Sequence, residues 1–339
     1  MEENLYNNKK RLDYIDISKG ILIIFVVLIH MELSLLNLYP NSIFTKTLHW
    51  IDFHTIVVFY MPAFFIITGF CSNYSKDFSH FLMSNIISLK IPAFFFVGVA
   101  GALGVRTIFG FSPFSIHYWF IRLFETGVWF LHAMFLGKFF YWFLFNYSNI
   151  KIRLFILTIL FSIGTYLIIQ FNEPFYYIPH ALMLLPFIEV GQFLKRTDIS
   201  RKIALISILI FFILLIIVTT AKIEIPYIVQ KVVCTNPLSA IIILILGSSG
   251  SIAFIYLCKL INKNHVFSTI GQYSLVIYCL HGPELCTYLT TSHQNLYFPE
   301  YYLLPLSFFV RVGLVITICI LIAIALDRPY FRLIIGKKP

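Results

Sequence analysis

Asp16-Ile17-Ser18-Lys19-Gly20-Ile21-Leu22-Ile23-Ile24-Phe25-Val26-Val27-Leu28-Ile29-His30 is the stretch on which the fold turns. Its unbroken apolar run predicts a helix deep in an apolar medium. A helix turns 100° per residue, so the eleven-residue step from Lys19 to His30 closes about three turns and puts both side chains within roughly 20° of one stripe. The rise of 1.5 Å per residue separates them by about 16 Å, with Lys19 near one membrane surface and His30 deep among apolar residues. A cation at the rim and an imidazole inside a bilayer are both costly, so each calls for a role. For Lys19 the plain role is an interfacial anchor whose amine snorkels to water. For His30 the plain role is a hydrogen-bonded packing group, against which stands the tendency of intramembrane ionisable groups to line a pathway or a site.

The whole chain agrees with a membrane setting. Of 339 residues 59% are hydrophobic and only 12% charged, and the mean hydropathy is +0.87. Surface-to-volume scaling leaves a soluble domain too much surface in water to hide that composition. The first apolar run is too long for the core of a secretory signal, and no small-x-small cleavage site follows it, so it reads as an uncleaved span. The six cysteines, Cys71, Cys234, Cys258, Cys279, Cys286 and Cys319, show no Cys-x-x-Cys spacing and mostly lie in apolar runs, as buried thiols do.

Apolar stretches long enough to cross a bilayer fall at about 17–36, 51–70, 91–109, 127–146, 152–171, 178–194, 203–220, 238–261, 269–290 and 302–326. Ten spans put both termini on one side. With the amino terminus in the cytoplasm, 18 of the 25 Lys and Arg fall in inner segments and five (Lys46, Arg106, Arg122, Lys222, Lys231) in outer ones. That asymmetry follows the positive-inside rule and accounts for the net charge of +10 without a nucleic-acid partner. The expectation is an all-α polytopic bundle of about ten transmembrane helices with both termini cytoplasmic. It forms one membrane domain over 1–339, with 1–15 and 328–339 as cytoplasmic flanks and no soluble extension.

Asp13 or Asp16 is expected to cap the first helix, where acidic groups suit the positive end of the macrodipole. Four further stretches stand out in order: Tyr60-Met61-Pro62-Ala63-Phe64-Phe65-Ile66-Ile67-Thr68-Gly69-Phe70, Val128-Trp129-Phe130-Leu131-His132, Gly271 through Tyr278-Cys279-Leu280-His281, and Asp327-Arg328-Pro329. With Arg11 through Gly20 and His30, they resemble the motif series of the acyltransferase 3 family of membrane acyltransferases. Its opening pattern is a basic residue, ten intervening residues and a histidine. The resemblance brackets residues 11–329. Lys19 stands where arginine is frequent, giving up bidentate phosphate geometry and keeping the charge. Tyr60 stands where some relatives carry histidine, and Thr68 where serine is common. No hydrolase-like extension of the kind found on some relatives is expected.

The resemblance implies an inner-membrane enzyme whose acyl donor, acetyl-coenzyme A, enters the bundle from the cytosol. Lys19 would grip its phosphates. His30 would be the general base that takes the acceptor's hydroxyl proton. It also implies an acetyl group passing to a sugar hydroxyl of a surface polysaccharide or its lipid-linked precursor. His132 and His281 join His30 as catalytic candidates, each with interhelical hydrogen bonding as its plain alternative. Lys90, just before Pro92, is a candidate for the coenzyme's phosphate site or an interfacial anchor. Glu189 needs a partner, and Arg311 is a candidate. The rival class is a secondary transporter with His30, Glu189, His281 and Arg311 as its pathway, though hydropathy shows no inverted repeat. No metal is expected, since His-x-x-x-His and His-Glu-x-x-His are absent and His49 and His54 sit poorly for one helical face. Partners are the acyl-coenzyme A, the glycan acceptor and lipid; oligomeric state is invisible in the sequence.

Overall fold

The computed structural model describes residues 12–99, 129–171, 175–221, 223, 234–261, 263–282, 286 and 304–337. Their regular elements are all helices, with no strand among them. In chain order come α1 (Asp13–Leu38), α2 (Ile43–Ile51), α3 (Tyr60–Cys71), α4 (Phe78–Asn85), α5 (Trp129–Tyr147), α6 (Ile150–Gln170) and α7 (Ile178–Thr197). Then follow α8 (Arg201–Thr220), α9 (Pro237–Leu260), α10 (His265–Gln272), α11 (Ser274–Leu280) and α12 (Leu304–Leu326). Wide π turns carry the chain through Asp52–Ile56, Ile86–Lys90 and Phe94–Val99.

Among the described residues six helical segments are long and apolar enough to cross a membrane: Asp13–Leu38, Ile43–Cys71, Ile150–Gln170, Arg201–Thr220, Pro237–Leu260 and Pro305–Leu326. The expected fourth and sixth spans are the long helices α5 and α7, and Pro186 lies inside α7 without ending it. The expected ninth span is not one rod over 269–290: α10 gives way to α11 at Tyr273, and α11 ends at Leu280. The far parts of the third and ninth spans, Arg106, Arg122, Lys231 and most of the 220–237 loop lie outside the described residues. On α8 the exposed large residues Leu205, Leu209, Phe212 and Ile216 recur at helical spacing. Such an apolar stripe on an outer face belongs against lipid.

α1 starts differently from the capping expectation. Leu12 occupies the N-cap with no side-chain hydrogen bond, and Asp13 and Asp16 lie inside the first turn. There they still favour the positive helix end, and Asp16, buried, pairs with Lys19 at 3.6 Å. Two glycine crossings fix the helices around the site. A Cβ built on Gly20 would sit 2.1 Å from the Phe267 carbonyl oxygen, and one on Gly271 would sit 1.8 Å from that of Asp16. Backbone therefore lies on backbone where α10 crosses α1. α3 and α7 meet the same way through Gly69 and Gly191. Apolar burial does little to drive association between helices in lipid, so close packing through small residues takes that role.

Candidate active site

The histidine pair is built by two parallel helices in register. Gly20 meets α10 next to Gly271. Ten residues further along both strands of chain, His30 meets His281, edge to face, with ring centroids 4.9 Å apart and planes at 82°. Equal steps from one contact to the next mean that α1 and the α10–α11 arm run side by side in the same direction. The shared Gly-x9-His spacing, Gly20 to His30 and Gly271 to His281, was the sequence signal for this pairing.

Hydrogen bonding fixes the tautomer of both rings. His30 Nδ1 lies 2.8 Å from the Val26 carbonyl oxygen. His281 Nδ1 lies 2.8 Å from the Tyr278 carbonyl oxygen and 3.1 Å from that of Ile277. A carbonyl only accepts, so each Nδ1 carries the proton and donates it. In the neutral ring the lone pair is then on Nε2, the geometry of a proton acceptor held in place by its other nitrogen. His30 Nε2 has no hydrogen-bond partner among the described residues. The ring lies inside the bundle, and the residue keeps part of its surface accessible.

The second pair is Lys90 with His132. Lys90 Nζ, at the end of a π turn, donates to His132 Nδ1 and lies 5.1 Å from the centroid of the Phe135 ring. The backbone of Tyr176 engages the same imidazole. His132 is 4% exposed and held on two sides. Lys90 thus turns into the bundle toward His132, where the sequence offered a coenzyme phosphate or a membrane anchor. Rings connect the two pairs: Tyr278 lies 5.5 Å from His281 and 5.4 Å from Phe130, Phe130 contacts Trp129, and Trp129 approaches His180 and Tyr177. Tyr177, which also approaches His132, has φ of 60°, and Tyr176 before it 50°. Left-handed backbone at two bulky residues is strained and persists only where the surroundings impose it. His180 and this strained pair had no motif to announce them.

Lys19 keeps its place three turns below His30 on the unbroken α1, with a side chain 29% exposed beside Asp16. Glu189 is paired, but with Arg153 and not with Arg311. Arg153 Nε donates to it at 2.7 Å and a second guanidinium nitrogen lies at 3.4 Å. Tyr141 also donates to Glu189. Among the described residues no group of three His, Cys, Asp or Glu is placed to hold a metal ion. Five of the six cysteines are buried and Cys71 is exposed, with no disulfide among the described residues.

A family described as an acyltransferase domain, Acyl_transf_3, matches residues 12–325, from the foot of α1 to the end of α12. No curated protein and no solved structure matches the chain. The match takes in the first motif from Leu12 onward, the next three whole, the Lys19 helix and both polar pairs, and the closing Asp327-Arg328-Pro329 lies just beyond it. The chain belongs to the acyltransferase 3 family and is a multi-pass membrane acyltransferase.

Proposed function

We propose that the protein moves an acetyl group from acetyl-coenzyme A to a sugar hydroxyl of a surface polysaccharide or its lipid-linked precursor. The observation that carries this reading is the proton-accepting Nε2 of His30, left without a hydrogen-bond partner among the described residues while its ring is locked by the Nδ1 bond to Val26. The acceptor hydroxyl gives its proton to Nε2 as its oxygen attacks the thioester carbonyl. The tetrahedral intermediate then breaks its carbon–sulfur bond, and the thiolate takes the proton back from the imidazolium. Coenzyme A leaves as the free thiol, with no net proton released. His281 stands beside His30, and His132 with Lys90 positions the Trp129 and Tyr177 wall.

Lys19 is the electrostatic contact for the coenzyme's phosphates, and Asp16 holds the amine in place until a phosphate competes for it. The 16 Å or so between Lys19 and His30 along α1 is comparable with an extended pantetheine arm. The bilayer favours such an acceptor, because cytosolic donor and exported glycan meet there, in the cell's inner membrane. The transporter reading draws no support from Glu189, whose charge is already matched by Arg153.

The test is release of free coenzyme A by the purified protein, with a glycan acceptor present. General-base assistance is worth about 10² to 10⁴ in rate, so His30→Ala should lower turnover by that factor while the protein stays folded in the membrane. Lys19→Ala should raise KM for acetyl-coenzyme A more than it lowers kcat. Full activity in His30→Ala would overturn the reading. Proton NMR of the cell's glycan for O-acetyl signals, with and without the gene, identifies the product.

A further inference from the structure

A second polar cluster lies where α2 folds back on α1, two residues beyond His30. Residues two apart on a helix point about 200° away from each other, so Glu32 faces away from the histidine pair. There it meets the α2 side. His49 Nδ1 donates to Glu32 Oε1 at 2.8 Å. Thr45 lies one turn before His49, and Asp52 begins the π turn that follows. Asp52 is an electrostatic neighbour of both Glu32 and the Tyr60 hydroxyl. Glu32, Thr45, Asp52 and Tyr60 are each 1% exposed or less.

Four polar atoms of this cluster, Glu32 Oε2, Thr45 Oγ1, Asp52 Oδ2 and the Tyr60 hydroxyl, have no hydrogen-bond partner among the described residues. Two carboxylates and two hydroxyls left so within a membrane bundle are costly, and each such buried group calls for a partner. The set itself describes that partner. His49 already supplies a donor to Glu32, so what remains is two oxygen acceptors and two groups that can both donate and accept. A pair of alcohols matches this group for group, each donating to a carboxylate and accepting from Thr45 or Tyr60, and brings no new charge into the site. The access is past His49, whose side chain is 33% exposed.

We propose that this face is a hydroxyl-recognising subsite for a neutral polyol, a sugar unit of the acceptor other than the one acylated. The pocket's chemistry stands by itself; the identity of its ligand as acceptor rests on the transfer reading. Its place agrees with that reading, because it lies at the end of α1 opposite Lys19 and neighbours the histidine pair through Tyr60, which acts electrostatically on Tyr278 beside His281. Donor and acceptor would then enter from opposite ends of one helix.

The test is saturation-transfer NMR on the full-length protein in nanodiscs, with methyl α-glucoside, methyl α-galactoside and maltotriose as probes. The expected result is transfer to at least one of these sugars, with affinity lowered tenfold or more by Asp52→Asn and severalfold by Tyr60→Phe. Tyr60→Phe removes one hydroxyl and keeps the ring, so it decides the matter should Asp52→Asn fail to fold. Absence of transfer to every probe, or transfer unchanged in both variants, would overturn the proposal. So would thermal stabilisation by sodium chloride over choline chloride that Asp52→Asn abolishes, the mark of a cation site. Coenzyme A release by the wild-type preparation separates the two readings. Release with an insensitive sugar signal sinks the subsite alone; a sensitive signal without release sinks the transfer reading alone.

Discussion

His30, half-buried, and His132, buried, are imidazoles of one bundle, yet they are wired in opposite senses. His30 spends Nδ1 on its own helix, at the Val26 carbonyl, and leaves Nε2 without a hydrogen-bond partner among the described residues. His132 takes a donor from Lys90 and a contact from the Tyr176 backbone, so both sides of its ring are engaged by protein. A base must keep one nitrogen for substrate, and a positioning group must not. On the proposed reading chemistry belongs to the α1 and α11 pair, and support to the Lys90 and His132 pair.

The comparison breaks first if His30→Ala, expected to lose about 10² to 10⁴ in turnover, loses no more than a variant at His132. Next in size is the Arg153 and Glu189 pair, to which the proposed reading gives stability and no chemistry. Removing one partner of a buried, bidentate ion pair costs about 3–5 kcal/mol, so Arg153→Met should sharply reduce folded protein recovered from the membrane. The Arg153→Met, Glu189→Leu double variant should recover more than either single one, and material that folds should keep its KM for acetyl-coenzyme A. A transporter pathway through Glu189 predicts the reverse ranking.

Gly271→Val tests how the histidines are brought together. Its Cβ would collide with the Asp16 carbonyl, and overpacking of this kind costs about 1–3 kcal/mol. Turnover should fall more than the melting temperature does, because His281 is carried away from His30; unchanged turnover would detach the glycine crossing from the site. Lys90→Met is expected to act more weakly than His30→Ala and chiefly on kcat, since it frees His132 Nδ1 and loosens the Tyr176 and Tyr177 wall. A rise confined to KM for acetyl-coenzyme A would instead return Lys90 to the phosphate site.

The smallest effect concerns the closing motif. Lys337 donates to Asp327 at 2.5 Å, Tyr273 donates at 3.0 Å, and Arg332 lies 3.5 Å away. Led by Lys337, these partners hold the Asp327 carboxyl below its ordinary range. A lowered folded value means that the anchoring of the tail to the α10–α11 joint is complete above the unfolded pKa and is lost as pH falls through the folded one. The hydrogen-exchange protection of residues 328–337, corrected for the intrinsic pH dependence of exchange, should therefore be high at neutral pH and fall only below about pH 4, and Asp327→Asn should show the low protection at every pH.

Local signals carried much of this into the sequence. α1, its Lys19 and His30 stripe, and the long helices announced themselves because an apolar run of bilayer length has few other options. Three expectations needed correction or completion, each for lack of a local signal. The start of α1 uses no side-chain cap, since the first-turn carboxylates serve the helix end from inside it. Glu189 takes Arg153 across the α6 and α7 interface, a choice made by packing between segments 36 residues apart. The ninth span breaks at Tyr273, whose hydroxyl is drawn to Asp327.

By itself the sequence determined that the chain is a helical membrane protein of this acyltransferase family, because composition, hydropathy and ordered motifs are properties of the chain read along its length. Only the tertiary structure decided which polar groups meet: His30 with His281, Lys90 with His132, Glu189 with Arg153, and Glu32 with His49. The physical reason is that a buried polar group must find its partner within hydrogen-bond reach, and which helix supplies it is set by the glycine crossings that let backbones touch.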